Sequence, residues 1–157
     1  MTADLTPEAL RDCCAARAWV DGMTGGEPYE SLSELLHRSD AVLASLSDRD
    51  VDAALAAHPR IGARAAGDRR EAAWSRQEQS GAATATSTVK DALAAGNAEY
   101  ERRFGRVFLI CATGLSAEQL LAAMTARLDN DEEAERAVVR EELRKIVRLR
   151  LSKLVHQ

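Results

Sequence analysis

Aromatic side chains are scarce in this chain of 157 residues: two each of Trp, Tyr and Phe, set in a background of Ala, Leu, Glu and Arg. A chain so poor in aromatic and β-branched residues favours helix over sheet. Cysteine is scarce too. Cys13, Cys14 and Cys111 are odd in number and two are adjacent, which makes a poor disulfide framework; reduced thiols in a cytosolic protein are the expectation. The three histidines (His37, His58, His156) are scattered, and no CxxC or paired Cys/His spacing occurs, so no metal is expected. Long apolar runs are missing, which argues against a membrane span. The opening stretch MTADLTPEALRDCC is charged and carries no hydrophobic signal segment, so a cytoplasmic location is expected. There is no basic excess either. The formal net charge of −4 argues against a general nucleic-acid binder. A glycine-rich phosphate loop, GxSxG and HExxH are likewise absent.

What the chain does have is helix punctuation. Thr6 before Pro7 and Glu8 predicts a helix running to about Val20, followed by a Gly/Pro-rich loop, DGMTGGEPY. Ser31 and Glu34 form a capping-box pattern ahead of Leu32, Leu35, Leu36, Val42, Leu43 and Leu46, with His37 exposed. Ser47 starts another helix, which Pro59 stops at His58 or one residue earlier. A short helix is expected over 69–79, with Trp74 as its anchor and Gly81 as its end. Thr86 or Ser87 caps the next, whose face is Val89, Leu93, Asn97, Tyr100 and Phe104. Gly105 stops it. Residues 107–112 are then a short apolar run whose flanks favour a buried extended piece over a half-turn of helix. Ser116 with Gln119 is a further capping box. Asn130 or Asp131 opens the last helix, which carries Leu143, Ile146, Val147 and Leu154 on one stripe. The pattern is all-α: one compact domain over 1–157, about seven to nine helices, and a buried extended segment near 107–112.

The irregular polar stretch from Leu55 to Gly81 is the natural place for chemistry, because loops on rigid scaffolds carry function disproportionately. His58 has a ring that titrates near neutrality and sits at a broken helix end, where the dipole favours its charged form; a capping or core histidine is the plain alternative. Glu78 by pattern alone reads as a solvated glutamate. Asn97, inside an apolar face, calls for hydrogen-bond partners. Arg150 falls on the stripe of the last helix, so it either snorkels past the core or meets an anion. A histidine, a carboxylate and a guanidinium together suit an anionic substrate whose reaction moves protons.

Taken in order, His58-Pro59-Arg60-Ile61-Gly62, then SRQEQSG from Ser75, then NAEYERRFG from Asn97, then FLICA from Phe108, then RLDN from Arg127 and KIVRLRL from Lys145 resemble the 2-oxo-4-hydroxy-4-carboxy-5-ureidoimidazoline (OHCU) decarboxylase family. The resemblance covers nearly the whole chain. It implies an all-helical, cofactor-independent lyase, usually a homodimer, that releases CO2 from OHCU to give (S)-allantoin in urate catabolism. It places the family's catalytic residues on His58 and Glu78. Substrate contacts fall on Pro59, on Ser75, Arg76, Gln77 and Gln79, on Phe108, Leu109, Ile110, Cys111 and Ala112, and on Arg150. Where many members have FGFPF this chain has FGRVF, so Arg106 is expected to alter the local surface while the binding run survives. The stretch AATATST after Gly81 is unusually bland. A lyase for a related ureide, or a non-catalytic helical interaction module, would fit the residue pattern with less of the motif order.

Overall fold

A computed structural model describes residues 5–63 and 69–156. Residues 64–68, within the irregular stretch singled out above, lie outside the described part, as do 1–4 and 157. Among the described residues there are nine helices and no strand, so the all-α expectation holds. The chain divides into two units, one of residues 1–57 and 140–157, the other of 58–139.

The first unit holds α1 (Pro7–Cys13), α2 (Arg17–Thr24), α3 (Leu32–Ser45), α4 (Asp48–Leu55) and most of α9 (Glu132–Val155). Its helix starts follow the expected caps: the Thr6, Ser31 and Ser47 hydroxyls accept from the amides three residues on. Glu34 completes its cap differently, accepting from the Glu30 amide. The single helix expected from Pro7 to Val20 is instead two, because Cys14 is extended at φ −155°, ψ 120°. The apolar stripe changes phase there. Leu10 and Cys13 lie on one phase, and Ala16, Trp19 and Met23 on another; all five are fully buried. An unbroken helix would carry the first stripe on to Arg17, whose side chain is 95% exposed. The expected loop also starts later, since α2 reaches Thr24. Trp19 Nε1 donates to the buried Ser39 hydroxyl at 3.2 Å, and the Tyr29 hydroxyl donates to the Met23 carbonyl at 2.5 Å. His37 is exposed, as expected.

The second unit holds α5 (Arg70–Glu78), α6 (Ser80–Ala83), α7 (Ser87–Phe104), α8 (Ala117–Arg127) and the first two turns of α9. Leu93, Tyr100, Phe108, Ala117, Leu120 and Met124 form the centre of its core. Gly81 does not end α5 as expected but sits inside the one-turn α6. A methyl group there would come within 2.0 Å of the Leu115 carbonyl oxygen, so only glycine permits this approach. Thr86 is the cap of α7, and Gly105 ends it in a left-handed conformation. Residues 107–112 form neither helix nor strand. Phe108, Leu109, Ile110 and Ala112 in that run are all buried, as expected of an extended core segment. Ser116 and Gln119 make a complete capping box. At the start of α9 the cap is Asp131, whose carboxylate accepts from the Ala134 amide at 2.8 Å.

Candidate active site

The loop that follows His58 has no regular structure of its own, yet three side chains hold it. Gly62 has φ +89°, a left-handed conformation that glycine adopts without strain. Its amide donates to Gln79 Oε1 at 3.0 Å, and Gln79 Nε2 lies 3.5 Å from the Arg60 carbonyl oxygen. Asn97 Nδ2 donates to the Ile61 carbonyl at 2.8 Å. Arg60 makes a forked pair with the Glu101 carboxylate, at 2.7 and 3.2 Å. The helix ends of α5 and the middle of α7 therefore clamp one short backbone stretch, 60–62. The expectation that Asn97 needs a partner is met by this bond.

His58 is half-buried. It is not at a helix C-terminus as expected: α4 ends at Leu55, and a turn through Ala56 and Ala57 intervenes. Dipole effects fade beyond the last turn, so that reason for favouring its charged form falls away. Pro59 beside it is also half-buried. Glu78, read from pattern as solvated, is 9% exposed, and Ser75 is 5% exposed. Both belong to the inward face of α5 with Trp74. Gln77 is exposed on the other face, while Arg76 and Gln79 are intermediate. Ser75, Arg76 and Gln79 line a cavity of about 220 Å³, together with Gly62 and Lys90. A second cavity, of about 430 Å³, is lined by Arg60, Asn97 and Glu101 and shares Gly62 and Lys90 with the first. Neither His58 nor Glu78 is among the lining residues of either cavity.

The run 108–112 is held by charge. Arg127 Nη1 donates to the Leu109 carbonyl at 2.7 Å, and its guanidinium lies 4.3 Å from the centre of the Phe108 ring. The same guanidinium pairs with Glu135, Nη2 to Oε2 at 2.6 Å and Nε to Oε2 at 3.0 Å. Asn130 Nδ2 donates to Glu135 Oε1 at 3.1 Å, and the Tyr100 hydroxyl donates to Oε2. Burial pushes the Glu135 carboxyl up, but the bonds from Arg127, Tyr100 and Asn130 outweigh it and hold it below its ordinary value. Tyr100 moves the other way, raised by burial and then by its bond to that carboxylate. Cys111, between buried neighbours, is itself half-buried.

Arg127 and Glu135 were not singled out individually from sequence. The signal was present, because Arg127 lies three after Met124 and seven after Leu120 on the buried stripe of α8, the same placement that flagged Arg150. Arg150, described with the first unit, is 2% exposed and so does not snorkel to solvent. Its Nη1 lies 3.3 Å from the Asp12 carbonyl oxygen. In the same unit the Cys14 thiol is pushed up to about 11 by burial, against the opposing bond from Ala16 and the charge of Arg150. That keeps the thiol protonated and unreactive. Arg106, the departure from FGFPF, folds down onto Phe104: its side chain is 7% exposed, and Nη1 donates to the Phe104 carbonyl and to Glu132.

Among the described residues the chain is helical without a strand, and the Gly62–Gln79 bond joins the loop after His58 to the helix end that carries Glu78. The OHCU decarboxylase family model matches residues 1–152. The chain belongs to the OHCU decarboxylase family. It is 30% identical over 143 residues to 2-oxo-4-hydroxy-4-carboxy-5-ureidoimidazoline decarboxylase of Amia calva, covering 90% of this chain and 79% of that one. It is 27% identical over 158 residues to the uric acid degradation bifunctional protein TTL of Arabidopsis thaliana, covering 98% of this chain. It spans only 48% of that plant protein's length. A crystal structure of OHCU decarboxylase in the presence of (S)-allantoin superposes with a TM-score of 0.83 at 25% identity, over 97% of this chain and 99% of that one. A crystal structure of (S)-allantoin synthase, 18% identical with a TM-score of 0.71, shares the fold over 94% of this chain and 49% of that one.

Proposed function

We propose that this chain decarboxylates OHCU to (S)-allantoin and CO2 in urate catabolism, with His58 and Glu78 as its catalytic residues. By family it is a carbon–carbon lyase. One observation carries the assignment of residues: Gln79, next to Glu78, accepts from the Gly62 amide, which joins the loop bearing His58 to the helix end bearing Glu78. Substrate contacts are proposed for Pro59, Ser75, Arg76, Gln77, Gln79, the backbone of 108–112 and Arg150.

The chemistry follows from the substrate. OHCU carries its carboxylate on a hydroxyl-bearing carbon adjacent to a C=N carbon. When the C–C bond to the carboxylate breaks, its electron pair forms a C=C bond and the C=N pair moves to nitrogen, which takes a proton. The substrate is its own electron sink. The resulting enol loses its hydroxyl proton, and the ureido-bearing carbon gains one on a single face, setting the (S) centre. His58 moves these protons, Glu78 orients the ring or holds the ureido N–H groups, and Arg150 holds an anionic oxygen.

We propose in the same terms a single domain, acting as a homodimer in the cytoplasm. Among the described residues no helix is long and apolar enough to cross a membrane, and the three cysteines are free, which suits a reducing compartment. Turnover of OHCU and of related ureide acids by the purified chain is the test. Saturable decarboxylation of OHCU alone is expected; activity confined to another ureide would reassign the substrate, and none at all would favour an interaction module.

A further inference from the structure

We infer that Asn97 is a positioning residue for His58, acting through the backbone of the loop that carries it; this rests on the catalytic reading of His58. Asn97 is 4% exposed, in the middle of α7, and its Nδ2 donates to the Ile61 carbonyl at 2.8 Å. Its other end, Oδ1, is buried with no hydrogen-bond partner among the described residues. An amide kept in a core at the cost of an unpaired acceptor is poor design for stability alone, because a buried acceptor left unmade is expensive. What the bond achieves is local. Asn97 binds the carbonyl and Gln79 the N–H of one peptide unit, that between Ile61 and Gly62, three residues after His58. Between the clamp and His58 lie Arg60 and Pro59, and the proline ring fixes one of the few backbone rotations available. Slack at Ile61 therefore passes almost directly to the imidazole.

The experiment uses the full chain and compares Asn97→Ala and Asn97→Leu with the wild type. Thermal unfolding establishes that each is folded. The His58 ring resonance is then followed by NMR against those of His37 and His156, with His58→Ala to assign it. A positioning role predicts that the His58 resonance shifts or broadens while the other two stay in place. It also predicts that kcat on OHCU falls by up to about 100-fold with KM changed little, the size expected for a misplacement of about 1 Å. An unchanged His58 resonance and kcat in a folded variant would overturn the inference. So would loss of fold in both variants, which would make Asn97 a structural residue. If His58→Ala retains wild-type turnover, it is the catalytic reading that fails, and the resonance comparison still reports whether Asn97 sets the ring.

Discussion

Residues 60–62 and 108–112, two segments of the second unit that lie outside its helices, are held in opposite ways. Residues 60–62 are pinned by neutral amides, Asn97 and Gln79, plus an exposed ion pair between Arg60 and Glu101. Residues 108–112 are pinned by a buried charge network in which one carboxylate serves a guanidinium, a phenol and an amide. The first segment contributes only Ile61 to the core, whereas the second contributes Phe108, Ile110 and Ala112. The amide bonds from Asn97 and to Gln79 contain no titrating group. Clamping with buried charge gives support that is strong while complete and costly when one partner is lost. One segment is thus held mainly by neutral amides and the other by a buried ion pair.

The sharpest break of that contrast is at Glu78. Glu78→Gln removes a proposed catalytic group with little change of shape, and turnover of the folded variant should fall by about 10²–10⁴-fold. Next comes the other segment. Glu135→Ala leaves Arg127 buried without its carboxylate and should cost about 3–5 kcal/mol of stability, read from denaturant unfolding. The pH dependence is a smaller effect with a definite sign. Since the folded Glu135 carboxyl sits below its ordinary 4.5, its stabilisation is fully present above that value and is lost as pH falls through the folded value. Wild-type stability should therefore drop below about pH 4.5 more steeply than that of Glu135→Gln, measured at matched ionic strength. The smallest effect belongs to the exposed pair. Glu101→Ala should leave the unfolding midpoint unresolved from the wild type, because solvent screens such contacts and Asn97 and Gln79 still hold the loop.

How much of this was legible in the sequence depends on how local the cause is. Thr6, Ser31, Ser47, Thr86 and Ser116 were read correctly because a cap is decided within four residues. The break after Cys13 was not, since it follows from which side chains the neighbouring helices bury. The position of His58 was misjudged by the length of a turn, as Pro59 forbids helix at its neighbour without saying how much earlier the helix stops. Glu78 looked solvated because nothing in its own segment shows what covers it. Arg127 and Glu135 are eight residues apart and in different helices, a pairing that only the fold brings together.

His58 as the residue that governs stereoselective proton transfer during decarboxylation of OHCU can be tested at the product's chirality. The direct measurement is circular dichroism of the allantoin formed by wild type and by His58→Ala, because OHCU also decays without enzyme and total product would mislead. A rapid (S) signal is expected from the wild type and none above the uncatalysed course from folded His58→Ala. Optically pure (S)-allantoin formed by His58→Ala at the wild-type rate would contradict it.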